Sequence, residues 1–255
     1  MMANKSKYTV ELIKGTGLVP ETMTLLENYE GQDKNTFVKF ILDNNILATS
    51  SERRAKDIVS RVFFKRYVDP DRAIVTRLKT IREKGLPLKQ FKQLLYLYTA
   101  RVDTVLRDFI TKVLNPIVNE GKVILDDSTP KAFIEHLNDE EGLNWNEGNI
   151  RRVTSGLHKV LIDFDMLSKK NDITFDGISS FVFLYILHDL HFKGMSDKEV
   201  WEHPDWKLFF LDRYSVLDLI KEHSLRDGYI AQSSGDLLAI TWNYKSMEEM
   251  INGLL

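Results

Sequence analysis

The sequence predicts a mainly α protein: a helical bundle flanked by helix-turn-helix or winged-helix-like modules, with a small β-hairpin near the C-terminus. Three observations carry this. Apolar residues recur at three- and four-residue spacing through most of the chain, most clearly at Ile150, Val153, Leu157, Val160, Leu161, Phe164 and Leu167. Pro, Gly and Asx residues cut that pattern into helices of ordinary length. Late in the chain the period changes to two, with Ile240 and Trp242 alternating against Thr241 and Asn243.

Taken in order, Pro20 at a first helical position opens a helix to about Tyr29, and Gly31 stops it. The Gly15-Thr16-Gly17 stretch before it reads as a turn. Asp33 can cap a second helix carrying Phe37, Val38, Ile41 and Leu42, which ends at Asn44-Asn45. A basic helix then begins near Ser50, with Thr49 as N-cap and Glu52 at N3. Ala55, Ile58, Val59, Val62 and Phe63 form its apolar face. Arg54, Arg61 and Lys65 share a line away from that face, with Arg53 and Lys56 to the other side. Over this helix Arg53, Arg54, Lys56, Arg61, Lys65 and Arg66 oppose only Glu52 and Asp57, a local +4 in a chain of net charge −2. Helix, turn and basic helix in this order suggest a helix-turn-helix with the basic helix in the recognition position.

Asp69-Pro70 breaks the pattern. Helices over 71–84, 88–98 and 101–119 follow, separated by Gly85-Leu86-Pro87 and a weaker break near Thr99, with Pro116 kinking or ending the last. Residues 126–147 are acidic, Asp126, Asp127, Glu135, Asp139, Glu140, Glu141 and Glu147 facing only Lys131, which reads as a solvated face. A second basic helix spans about 147–167, with Arg151, Arg152, Ser155, His158 and Lys159 off its apolar stripe and Asn144 and Glu147 placed like a cap. Lys169-Lys170-Asn171-Asp172 then turns into a β-like run at Ile173-Thr174-Phe175. Further helices are expected at 179–190, 196–201 and 213–223. The hairpin follows, 229–233 and 237–244 about Ser234-Gly235-Asp236, and Ser246 caps a last helix over 247–254. The expected modules are 1–69, a helix-turn-helix-like unit; 70–125, the bundle; and 126–255, a winged-helix-like unit with the hairpin.

Composition narrows the function. With 43% hydrophobic and 28% charged residues in 255, the chain reads as a soluble globular protein. It has no cysteine, so disulfides and thiolate sites are excluded, and a reducing cytoplasm is the expected compartment. The N-terminus lacks the apolar core of a signal peptide. The longest apolar run, FVFLYIL at 181–187, is too short to span a bilayer. No phosphate-loop, dinucleotide, nucleophile-elbow or zinc-protease motif is present, and no acid pair is singled out by spacing. His188 and His191 share a helical face, but no third ligand stands at a diagnostic distance, so no metal and no cofactor are expected. Trp201, Trp206, Phe209 and Phe210 suit core packing better than a partner surface. The expectation is therefore a protein without catalytic residues and without a small-molecule substrate.

What remains is charge distribution. A helix that meets duplex DNA needs Arg or Lys for phosphates and Arg or polar groups near its N-terminus for base edges. Ser50, Ser51, Arg53, Arg54, Lys56, Arg61 and Lys65 on the first basic helix, with Arg151, Arg152 and Lys159 on the second, are the candidates. The same faces could instead meet an acidic protein partner.

The segments LIKGTGLVPETMTLL, FVKFILDNNILATSSERRAKDIVSRVFFKRY, LLYLYTARVDTVLRDFI, WNEGNIRRVTSGLHKVLIDFDML and GDLLAITWNYKSMEEMINGLL occur in the order found in BrxA proteins of bacteriophage-exclusion (BREX) defence systems, which the chain resembles over nearly its whole length. The resemblance implies a cytoplasmic, mainly helical protein with a core similar to the antitermination factor NusB. It also implies duplex-DNA binding through helix-turn-helix or winged-helix elements at the residues just named, other BREX proteins as partners, and no activity of its own. RNA binding is the further option that a NusB-like core suggests, although the chain lacks the aromatic strand signature of an RRM and a KH-type G-x-x-G clamp.

Overall fold

The computed structural model describes residues 7–255; the expectation of no leader peptide bears also on residues 1–6, which lie outside the described part. The protein is mainly α, as its periodicity predicts. After a short 3-10 turn at Glu11–Ile13, helices α1 (Val19–Asn28), α2 (Lys34–Asp43) and α3 (Glu52–Asp57) follow, and α3 runs on without a break as a π-helix over Ile58–Val68. Then come α4 (Arg72–Glu83), α5 (Leu88–Val102), α6 (Thr104–Phe109), a π-helical Ile110–Leu114, α7 (Asn115–Asn119), α8 (Thr129–Glu140) and α9 (Glu147–Asp163). The chain ends with α10 (Ser180–Phe192), α11 (Asp197–Trp201), a 3-10 helix at Pro204–Phe209, α12 (Arg213–His223), strands β1 (Tyr229–Ser234) and β2 (Leu237–Trp242), and α13 (Met247–Leu254).

Several local expectations shift by a residue or a turn, each for a visible reason. The cap of α3 is Ser51, whose hydroxyl accepts from the Arg54 N–H at 3.3 Å, while the Thr49 hydroxyl donates to the Ser51 carbonyl. The cap of α9 is Asn146, which accepts from the Asn149 N–H at 2.8 Å, not Asn144. Thr99 does not break α5, because its hydroxyl bonds back to the Leu95 carbonyl inside the helix at 2.8 Å. The break falls at Asp103, which takes an extended backbone and accepts from the Leu106 N–H. The expected 147–167 helix ends at Asp163, and Asp165 takes a left-handed backbone (φ 60°).

Two compact units interleave along the chain, one of Met1–Lys79 with Leu95–Phe175 and one of Thr80–Leu94 with Asp176–Leu255. Thus α9 and the β-hairpin, assigned to one module by position in sequence, fall in different units.

In the first unit the π-helical stretch supplies most of one core. Its wider turn buries successive side chains, so Phe63 and Phe64 are both inside and both meet Phe37 and Tyr29. The Tyr29–Phe37 contact is edge-on at 5.2 Å, a geometry worth about 0.5–1.5 kcal/mol beyond area burial. Asp57, Arg61, Lys65 and Asp69, spaced by four, mark its outer edge. The other core of this unit lies under α9, where Val153, Leu157, Val160 and Leu161 are buried.

In the second unit α10 is buried almost throughout, which explains why its sequence is apolar all round, not amphipathic. The expected hairpin forms, with Tyr229 opposite Trp242 and Ala231 opposite Ile240, and Ser234 pairs with Leu237 so that the turn is Gly235-Asp236 alone and not Ser234-Gly235-Asp236. Asp197 tethers β2, accepting from the Ile240 N–H at 2.8 Å and from the Trp242 indole at 3.3 Å. Ser196 and Glu199 form a reciprocal capping box that fixes the start of α11.

Candidate nucleic-acid interface

The two basic helices come together in the first unit, on either side of the N-terminal segment. Leu12 is buried between them. Its carbonyl lies where a Cβ on Gly156 of α9 would approach to 3.1 Å, and the Gly17 N–H donates to Asp163 Oδ2 at 2.9 Å. From the other side, Arg66 donates to the carbonyls of Gly15 (2.7 Å) and Thr16 (2.6 Å), and Arg54 donates to the Lys14 carbonyl. Arg61 pairs with Glu11 at 2.8 Å and with Asp57 at 3.9 Å, and Lys14 pairs with Asp57 at 3.1 Å. Gly15 itself must lack a side chain, since a Cβ there would stand 2.5 Å from Val62 Cγ2. The Gly-Thr-Gly turn is thus the strap by which this segment docks.

Of the seven candidates here, then, Arg54 and Arg61 hold the strap and the Ser51 hydroxyl caps its own helix. Lys65 is half-buried near the carboxyl of Asp103, which burial holds above its ordinary range against the opposing pull of the Leu106 N–H and the Arg66 and Lys65 charges. Ser50, Arg53 and Lys56 are exposed. The connection from α2 to α3 runs from the Asn44 C-cap to the Ser51 N-cap, longer than the three or four residues of a compact helix-turn-helix.

The α9 side is organised differently. Opposite its buried stripe, Arg151, Arg152, Ser155 and Lys159 are exposed and His158 is half-buried. Arg152 lies along its own helix, donating to the Gly148 carbonyl and Asn149 Oδ1. Lys159 pairs with Asp163 at 3.1 Å, a surface pair worth at most about 1 kcal/mol and easily exchanged for another anion. Arg151 borders a 410 Å³ cleft shared with Lys131 and Glu135 of α8 and Glu147, Ile150, Thr154 and Ser155 of α9.

Around α9 the chain makes three short extended passes. Ile124 bridges Asp172 and Leu167 bridges Ile173, both antiparallel. The hydrogen bonds Leu125 N–H to Asn171 O, Ile173 N–H to Val123 O, Ser168 N–H to Asp172 O and Thr174 N–H to Met166 O place the pass at 172–174 between the other two. The order is therefore helix (α6 to α7), strand, helix (α8), helix (α9), strand, turn, strand. Sequence spacing suggested only the last pass; the pass at 123–125 has just two apolar residues exposed on it, Val123 and Ile124, and no alternation to reveal it. The basic turn Lys169-Lys170 joins the second and third passes and was not among the candidates.

The acidic block is mostly α8, exposed and partly self-paired through Lys131–Glu135 and His136–Glu140, with Lys7 meeting Glu141. His188 of α10 is fully buried, its Nδ1 bonded to the Leu184 carbonyl, and burial pushes its pKa down to about 4. His191 stacks on Trp242 at 4.0 Å. Trp201 and Trp206 are buried, each indole N–H bonded to a backbone carbonyl. Among the described residues no three His, Asp or Glu side chains converge as metal ligands, and no helix is long and apolar enough to cross a membrane.

Comparison with known proteins identifies the family and a structure of similar fold. The BrxA family profile matches residues 6–186. A crystal structure of an uncharacterized protein from Magnetospirillum magneticum is similar at 15% identity with a TM-score of 0.61, covering 81% of this chain and 100% of that one, a likeness of fold. No curated protein matches the chain.

Proposed function

The chain belongs to the BrxA family and so is a component of a bacteriophage-exclusion defence system, and from that premise we propose that it binds duplex DNA, without catalysis, through the exposed face of α9. The observation that carries this is the arrangement at 104–174, which reads as a winged helix with α9 in the recognition position and Arg151, Arg152, Ser155 and Lys159 on its open side. Arginines at the start of that helix can reach base edges or phosphates, and Lys159 supplies a phosphate contact one to two turns on. Ser50, Arg53 and Lys56 are a secondary basic patch. Arg54 and Arg61 contribute indirectly, through the strap.

A protein–protein adaptor role is the second reading, favoured by the acidic α8 that borders Arg151 across the cleft. The two separate in a mobility-shift series with duplex DNA, duplex RNA and single strands across salt. Duplex-DNA binding whose logarithm falls linearly with log salt supports the proposal. No shift at low salt rejects it in favour of the adaptor, and preference for RNA rejects it in favour of the NusB-like alternative.

A further inference from the structure

The turn after α9 is a rigid two-lysine tip, and we propose that Lys169 and Lys170 bind the phosphodiester backbone beside the duplex segment that α9 meets, adding affinity without sequence choice; this rests on the DNA-binding reading of α9. Both lysines are exposed and neither has an ion pair or hydrogen-bonded side-chain partner among the described residues. The turn beneath them is over-determined. Ser168 Oγ accepts from the N–H groups of Lys170 (3.0 Å) and Asp172 (3.1 Å) and donates to Asp172 Oδ2 (2.7 Å). Asn171 adopts a left-handed backbone (φ 64°), its side-chain Nδ2 donating to Asp127 Oδ1 and its side-chain Oδ1 bonded to His158 Nε2 of α9.

These contacts decide what the tip can do. The carboxylates at its foot, Asp127 and Asp172, are oriented by hydrogen bonds from Asn171 and Ser168 and form no ion pair with the lysines, which leaves both ammoniums able to take a phosphate. The Asn171 amide, which could otherwise read a base edge, is already bonded at both ends. A lysine on a fixed turn is a point charge suited to phosphate and poor at distinguishing bases.

Position supports the same partner. Arg151, Ser155 and His158 follow one another at four- and three-residue spacing along one face of α9, and His158 touches the turn. From Arg151 to His158 is roughly 10 Å along the axis at 1.5 Å per residue, comparable with a major groove about 12 Å wide. The arginine end of α9 and the lysine turn can therefore meet opposite walls of one groove.

The test is duplex-DNA affinity across a salt series for the full chain, for Lys169→Gln/Lys170→Gln, for Lys169→Arg/Lys170→Arg, and for Arg151→Gln/Arg152→Gln, on several unrelated duplex sequences, with thermal unfolding to confirm the fold. The glutamine pair on the turn is expected to lose on the order of tenfold in affinity and about 2 in log–log salt slope. The loss should be equal on every duplex, and the arginine pair should restore both. A glutamine pair with unchanged slope, while Arg151→Gln/Arg152→Gln binds weakly, overturns the turn and leaves α9 standing. A loss confined to one duplex sequence overturns the backbone-only role. No binding by the unmodified protein overturns both.

Discussion

In the helix that runs from Glu52 to Val68, the guanidinium groups of Arg54, Arg61 and Arg66 end on Lys14, on Glu11 and on the Gly15 and Thr16 carbonyls. In α9, by contrast, Arg151, Arg152 and Lys159 stay on the outer face, held only by their own helix or by a cleft open to solvent. The first helix has the higher local charge, but three of its arginines are tied to groups outside the helix, whereas among the described residues no arginine or lysine of α9 is. A count of basic residues on a helix measures neither where they point nor what they already neutralise. The strap from Glu11 to Gly17 lies against both helices and draws its partners mainly from one of them.

The largest effect that would break this contrast concerns Arg66, which is 5% exposed. Arg66→Ala leaves one buried and one part-buried carbonyl without their charged donor, a loss of about 3 kcal/mol from two such hydrogen bonds. Arg152→Ala, on the exposed face of α9, should stay within about 0.5 kcal/mol. Denaturant unfolding midpoints measure both. Equal losses would mean that the cations of the two helices do the same kind of work.

Next in size is Gly17→Ala, where the added Cβ would stand 2.4 Å from Asp163 Cβ. The strap must shift off α9 to make room, at a cost of about 1–3 kcal/mol. In a chain of this length that lowers the melting temperature by several degrees, about 2–4 °C for each kcal/mol. A melting point equal to that of the unmodified protein would show that the strap does not need its close approach to α9.

Those two residues also mark where the sequence stopped being informative. The helices, the hairpin and the Ser246 cap are local, set by spacing, breakers and capping side chains, and they could be located from the chain alone. The π-helix was not legible, because residues 58–68 fit an α-helical stripe almost as well; what selects the wider turn is the aromatic cluster that Phe63 and Phe64 enter together. The fate of Arg54, Arg61 and Arg66 depends on a strap some fifty residues away in sequence, a tertiary fact with no local signature. Lys169 and Lys170 looked like an ordinary polar turn until the bridge partners at 123–125 placed them at the tip of a small sheet.

The binding side of the contrast is sharpened by a double substitution on α9. Arg151→Gln/Arg152→Gln should leave unfolding unchanged. It should weaken duplex DNA roughly tenfold and lower the salt slope by about 2, if each arginine neutralises one phosphate. An intact slope would move the interface off α9.

The smallest expected effect belongs to the exposed remainder of the first helix. Arg53 and Lys56 stand three residues apart on α3 and so share a face, and no ion pair or hydrogen-bonded side-chain partner engages either among the described residues. Arg54, one residue away, is tied to the Lys14 carbonyl, so a variant that includes it mixes loss of fold with loss of charge. Arg53→Gln/Lys56→Gln isolates the charge. With α9 as the main contact, this pair acts as a peripheral phosphate site, and we expect the salt slope to fall by about 1 or less with an unchanged melting temperature. A fall as large as that of the α9 pair would show that the two helices engage one duplex as equals, with the strap between them as the spacer that sets their separation.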